Sequence, residues 1–201
     1  MAEVKIITDS TAYLPPELIT RYGIQVVPLK VLFGPEAYAE GVDISNEEFY
    51  RKLTKASTLP TTSQPSIGDF VQAYGETARE AVPILSIHIS SKLSATVNSA
   101  LNAKDELPQA QIEVVDSLST CMGLGMIVLA AARAAAEGQP LSQIRASTER
   151  LIKGMHIFFV VNTLEYLHKG GRIGGAAALL GTVLRIKPIL YIKDGQIEVL
   201  A

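Results

Sequence analysis

Short, continuously apolar runs alternate along this chain with longer stretches whose apolar residues recur at helical spacing. "VKIIT" leads into "PPELITRY", where Pro15 and Pro16 suit a first helical turn and Gly23 a stop. "IQVVPLKVLF" predicts a strand pair or one long strand. In "SNEEFYRKLTKA" Ser45 precedes Glu48 by three residues, a capping box, and "SIGDFVQAYGETARE" opens similarly with Ser66 and Asp69. The strand "ILSIHI", the helix "SATVNSALNAKDEL", the strand "IEVVD" and an Ala-rich helix ending near Gly138 follow. "PLSQIRASTERLIKG" predicts a further helix with Pro140 near its start, and "HIFFVV" a further strand. Such repeated βα units with short connections form a parallel sheet with right-handed crossovers.

The pattern changes after Val161. "TLEYLHKGG" predicts a short helix with Thr163 as cap, and "PILYIKDGQIEVL" a hairpin around an Asp-Gly turn. The expected fold class is therefore α/β. A parallel-sheet α/β domain spans residues 1–160, and a second α/β domain with antiparallel strands begins over 161–201. Because the chain stops at Ala201, just past the second hairpin strand, the second domain reads as incomplete and the chain as truncated. The alternative is a small antiparallel appendage.

Composition narrows the function. The 201 residues carry a net charge of -2 with acids and bases interspersed, which argues against nucleic acid as a main partner. One cysteine, Cys121, rules out an internal disulfide framework and suits a reducing compartment. "MAEVKIITDS" enters a strand directly, with no signal peptide, and the longest apolar runs, "MGLGMIVLAAA" and "IGGAAALLGTVL", fall short of the roughly 18 residues of a membrane span. The expected location is the cytoplasm, with at most transient membrane contact. The mean hydropathy of +0.25 is high, as a parallel sheet covered on both faces makes it. A lipid-lined cavity would do the same.

Polar clusters punctuate the strand ends: "TDST" (8–11), "TTSQPS" (61–66), "SSKLSAT" (90–96) and "VDSLST" (115–120). Ligands of open α/β sheets bind beyond the carboxyl ends of the strands, so the loops after "VKII", "ILSIHI" and "IEVV" should share one edge. Unpaired N–H groups of the following helices favour an anion there. For any single serine a plain helix cap is the simpler account. The glycines of "GLGMIV" and "GGRIGG" form neither a dinucleotide fingerprint nor a phosphate loop, and helix packing or a tight turn explains Gly123 and Gly125 better. No G-x-S-x-G elbow is present, and no spacing of His, Cys or acids suits a metal. His88 lies within a strand pattern and reads as a core or sheet-face residue. A binding module without cofactor or catalytic residues fits better than an enzyme.

"ITDSTAYLP", "TTSQPSIGDF", "SSKLSATVNSA", "VVDSLSTCMGLG" and "NTLEYLHKGGRIG" together resemble the DegV family of bacterial fatty-acid-binding proteins, in family order from residue 7 to residue 174. The resemblance implies two α/β domains with a long-chain fatty acid between them. It implies a carboxylate held by hydroxyls and presented to a separate fatty acid kinase, which makes an acyl phosphate for phospholipid synthesis. On the family's motifs Thr62 and Ser94 bind the carboxylate, Ser63, Ser91 and Ala95 are secondary contacts, and Arg172 faces the kinase and its phosphate. Ser94 is expected to begin its helix, where hydroxyl and N–H groups can meet one oxyanion. Arg172 has a plainer alternative, binding the last carbonyls of "TLEYLHKGG".

Two departures from the family pattern matter. Ala95 stands where the family has glycine, adding a methyl group beside the carboxylate, and the family's histidine that completes the carboxylate network would lie beyond Ala201. An enzyme acting on a small phosphorylated metabolite at the hydroxyl-rich edge, and a remnant that only mediates protein contacts, are the competing readings.

Overall fold

The structure, a computed structural model, describes residues 4–180 and 187–200. The end of the apolar run "IGGAAALLGTVL", and Ala201, lie outside the described residues. Strand β1 (Lys5–Asp9) passes through a 3-10 turn at Ser10–Ala12 into helix α1 (Pro16–Arg21). Next come β2 (Gln25–Val27), β3 (Lys30–Phe33), β4 (Glu36–Ala39), α2 (Asn46–Leu53), β5 (Thr61–Ser63) and α3 (Ile67–Ala78). The chain continues through β6 (Ile84–His88), α4 (Thr96–Asp105), β7 (Ile112–Asp116), α5 (Cys121–Ala136) and α6 (Leu141–Gly154). β8 (Phe158–Phe159), α7 (Glu165–Lys169), a 3-10 stretch at Gly174–Leu179, β9 (Leu190–Lys193) and β10 (Gln196–Val199) complete it.

The expected α/β fold with a parallel sheet is present. β2, β1, β6 and β7 pair in that order, all parallel. Alternation along the strands divides their side chains between two cores. Ile6, Leu85 and Ile87 pack with Leu124, Ile127 and Ile144 of α5 and α6. Ile7, Ile84 and Ile112 pack with Phe70, Tyr74 and Ala100 of α3 and α4. Every residue of β6 is buried, so helices on both faces account for much of the chain's hydropathy.

"IQVVPLKVLF" proves to be two strands in different sheets. Pro28 has no N–H to donate to a ladder and falls where β2 ends, so β3 leaves the parallel sheet. β3 instead pairs antiparallel with β4 and β5, in a small sheet that the hydrophobic pattern did not predict. "HIFFVV", expected alongside the parallel strands, contributes only Phe158–Phe159, which pair antiparallel with β9. Ile192 N donates to Ile157 O at 3.2 Å, so bonding to the second sheet begins three residues before residue 160.

Capping chemistry sets the helix starts. Ser66 and Asp69 form the full reciprocal box at α3, at 2.8 and 3.1 Å. The box expected at α2 is half formed: Ser45 accepts from Glu48 N, but the Glu48 carboxylate turns to Arg51 instead. The β9–β10 hairpin turns as its Asp-Gly predicts, with φ of +49° at Asp194 and +84° at Gly195. Its tip docks on the parallel domain. Ser90 Oγ donates to Gly195 O at 2.6 Å, and a Cβ on Gly195 would stand 2.4 Å from that Oγ. At Gly125 a Cβ would come 2.5 Å from Ala12 O, so close packing of α5 on the 3-10 turn is the reason for that glycine.

Candidate functional site

The carboxyl ends of β1, β6 and β7 lie side by side, as their parallel pairing requires. The loop between β6 and α4 is held almost atom by atom. Ile89 N donates to Asp9 Oδ2 at 2.9 Å, Ser90 N to Ser119 O at 2.8 Å, and Ser91 N to the Asp116 carboxylate at 3.2–3.3 Å. Lys92 N donates to Ser90 Oγ at 3.2 Å, and Arg172 Nε donates to Leu93 O at 3.0 Å. Several hydroxyls in these clusters thus serve strand and loop backbone rather than cap a helix. Thr8 Oγ1 donates to Ile87 O, and Ser117 Oγ to Ser119 O.

Ser94 does not begin α4. The helix starts at Thr96 with Ala95 in the cap position, and no side chain caps it. Half-buried Ser94 exchanges its hydroxyl hydrogen bond with Thr96 Oγ1 at 2.8 Å, a local alternative to capping. The first N–H groups of this helix therefore lack a side-chain acceptor, and its first turn carries no acid to repel an anion.

"TTSQPS", read as a loop, begins with a strand. Thr62 stands opposite Val31 in the β3–β5 ladder and is exposed, and Ser63 Oγ donates to Gln64 O at 3.1 Å. A cleft of about 450 Å³ separates this block from α4; Ser63, Pro65 and Ser66 line one side, Ala95 and Asn98 the other, with Lys30 beside them. Two of the anticipated secondary contacts, Ser63 and Ala95, thus face one space. Thr62 and Ser94 flank the cleft in sequence without lining it, and no hydrogen bond joins them. Ser91 is exposed and lies outside it.

Arg172 reaches this region from the second sheet's side. Gly171, at φ +74°, ends α7 in a Schellman turn with Arg172 N donating to Leu167 O at 2.9 Å. From there the exposed guanidinium donates through Nη1 to Gly170 O at 2.6 Å and through Nε to Leu93 O.

One constellation escaped the sequence reading. Tyr74 Oη donates to Ser86 Oγ at 2.8 Å, Ser86 Oγ meets His88 Nε2 at 2.6 Å, and His88 Nδ1 meets Asp9 Oδ2 at 3.1 Å. All four side chains are fully buried. Burial alone would raise the Asp9 carboxyl, but the hydrogen bond and attraction of His88, with donors from Thr11 and Ile89, outweigh it and hold it lowered. Asp9 is therefore the ionised acceptor and His88 carries its proton on Nδ1. Burial pushes the Tyr74 phenol up, so Tyr74 donates and Ser86 passes its own proton toward Nε2. The order Ser–His–Asp is that of a hydrolase triad, but a fully buried hydroxyl has no path to substrate. His88 is a core residue, as its strand position indicated. Serine and histidine two apart on one strand share a face, which was the available signal. Among the described residues no three His, Cys, Asp or Glu side chains gather as a metal group.

Beside the loops, apolar side chains remain exposed. A Cβ on Gly123 would overlap the Ile157 side chain, so the start of α5 and the approach to β8 form one seam. Met122 next to that contact, Met126 one turn on, and Phe158 and Val160 are all more than half exposed.

Comparison with known proteins gives consistent matches over almost the entire chain. The model of the DegV family, described as uncharacterised proteins, matches residues 3–201. A DegV domain-containing protein of Clostridium perfringens is 43% identical over 201 residues, which cover 98% of this chain and 71% of the relative. A fatty-acid-binding DegV family protein from Thermus thermophilus superposes with a TM-score of 0.92 at 44% identity, covering 100% of this chain and 71% of that one. A stearic-acid-binding protein from Eubacterium ventriosum gives a TM-score of 0.91 at 30% identity, over 98% and 70% of the two chains.

Proposed function

The chain belongs to the DegV family, and from that premise we propose that it binds a long-chain fatty acid and presents the carboxylate to a fatty acid kinase. In this reading Thr62 and Ser94 hold the carboxylate, with Ser63, Ser91 and Ala95 around it, at the uncapped start of α4. The acyl chain runs between the domain of residues 1–160 and the one that begins at 161. There it covers apolar side chains such as Met122 and Phe158, each methylene withdrawn from water contributing about 0.8 kcal/mol. The protein is a carrier without catalytic residues, working in the cytoplasm, and the kinase supplies the ATP chemistry for phospholipid synthesis.

The observation that carries the reading is the cleft. Ser63 and Ser66 of one block face Ala95 and Asn98 across it, at a helix start that carries neither a side-chain cap nor an acid. The relatives from Thermus thermophilus and Eubacterium ventriosum bind fatty acids. Native mass spectrometry of gently purified protein should show added mass equal to a fatty acid. A phosphorylated metabolite in its place, or a bare chain after incubation with oleate, would overturn the proposal.

Thr62→Ala and Ser94→Ala should each weaken binding of a fluorescent fatty acid without unfolding the domain. A hydrogen bond to a charged acceptor contributes about 1.5–3 kcal/mol, roughly ten- to a hundred-fold in affinity. Wild-type affinity in both variants would return these hydroxyls to a local structural role.

A further inference from the structure

We propose that the buried chain Tyr74–Ser86–His88–Asp9 is a positioning relay that fixes the loop of residues 89–94 relative to the Thr62 block, and so presets the carboxylate site. The inference rests on the fatty-acid reading for its functional half only. Its structural half stands on connectivity. Tyr74 lies on α3, the helix that Ser66 caps at the end of "TTSQPS". At the other end of the relay the same Asp9 oxygen that meets His88 Nδ1 also accepts from Ile89 N, the first amide of the loop that leads to Ser94. Four polar side chains therefore run unbroken from α3, whose start lines the cleft, to the first amide of the loop that leads into α4.

The relay is directional and has no slack. Asp9 Oδ1 is occupied by Thr11 N and Thr11 Oγ1, at 3.0 and 2.6 Å, so Oδ2 cannot rotate away from His88 and Ile89. The Phe70 ring, also on α3, packs edge-on against His88 with centroids 4.9 Å apart, which fixes the imidazole plane. A core that needed only apolar filling would place a leucine or phenylalanine at position 88. Fully satisfied polar networks in a core specify one geometry, because any displacement strands a buried donor or acceptor.

The relay also explains the division of labour among the loop's partners. Asp9, Ser119 O and Asp116 take the amides of three successive residues, Ile89, Ser90 and Ser91, and Arg172 takes the carbonyl of Leu93. Only Asp9 among these is linked through buried side chains to α3. Its loss should therefore loosen the loop relative to the Thr62 block, whereas loss of the others should loosen the loop alone.

The test uses the full chain with Asp9→Asn, the milder Tyr74→Phe, and Thr148→Val as a control. Thr148 is buried in α6, and its hydroxyl donates to Ile144 O, away from the cleft. Amide hydrogen exchange and affinity for a fluorescent fatty acid are measured well below each variant's melting temperature. We expect exchange at Ile89 and Ser91 to rise, and affinity to fall, by roughly tenfold in Asp9→Asn and threefold in Tyr74→Phe. Both should stay unchanged in Thr148→Val. Should Asp9→Asn not fold, Tyr74→Phe alone decides. Unchanged loop exchange in Tyr74→Phe overturns the relay, and faster exchange with unchanged affinity overturns its role at the site. If the wild-type protein binds no fatty acid, the functional reading has failed, and loop exchange still decides whether the relay positions the loop.

Discussion

Asp9→Asn should destabilise the folded chain by about 1–3 kcal/mol at neutral pH, as leaving buried donors without their acceptor does. Four donors converge on this carboxylate: Thr11 N, Thr11 Oγ1, His88 Nδ1 and Ile89 N. An asparagine offers one oxygen and one NH₂, and either orientation sets the NH₂ against a pair of those donors. Urea unfolding at pH 7 reads the loss directly. A change under about 1 kcal/mol would mean that the pocket relaxes around the amide.

The same carboxylate gives the stability a specific pH dependence. In the unfolded chain Asp9 titrates near its ordinary 3.8, and in the folded one below it. The unfolded state thus binds a proton first as pH falls, and stability falls with it. The contribution is complete above the unfolded value and disappears as pH descends through the folded one. Asp9→Asn should therefore be less stable than wild type at neutral pH and converge toward it in acid. Parallel acid limbs in the two proteins would contradict the lowered carboxyl.

Much of the fold was legible because its cues are local. The full capping box at Ser66 and Asp69, the Asp194–Gly195 turn and the apolar core strands each follow from residues within a few positions of one another. Pro28 marked a break inside "IQVVPLKVLF", yet nothing local said that β3 would join β5, whose Thr61–Ser63 are polar enough to pass for a loop. Threonine tolerates an exposed edge strand because its branched carbon suits the extended backbone and its hydroxyl suits water. The candidate site offered two blocks in the sequence but no geometry between them. Ser94 was expected to begin the helix, but its hydroxyl bonds Thr96 Oγ1 two residues on and the helix starts at Thr96, a local competition that the pattern of residues does not decide. The relay stayed hidden because it needs the strand order β1–β6 that brings Asp9 against His88, 79 residues on.

Arg172→Ala should cost the proposed kinase reaction more than it costs the fold. The side chain makes two hydrogen bonds to carbonyls, Gly170 O and Leu93 O, both at an exposed position. Each contributes about 0.5–1.5 kcal/mol, so the melting temperature should fall only modestly. The bond to Leu93 also steadies the residue before Ser94, so fatty-acid affinity should weaken slightly. Held by Nε and Nη1, the planar guanidinium keeps its Nη2 edge without a partner among the described residues, aimed by two fixed carbonyls. A donor so fixed in place can meet an oxyanion without reorganising, as a flexible lysine in its place cannot. Loss of one preorganised donor to a developing charge typically lowers turnover by about 10²–10³-fold. Acyl-phosphate formation with the proposed partner kinase, measured at saturating fatty acid, should drop on that scale in Arg172→Ala and recover little in Arg172→Lys. Full turnover with only a raised KM would leave Arg172 as a tether of the Leu93 loop, and full recovery by lysine would make its charge, not its fork, the working part.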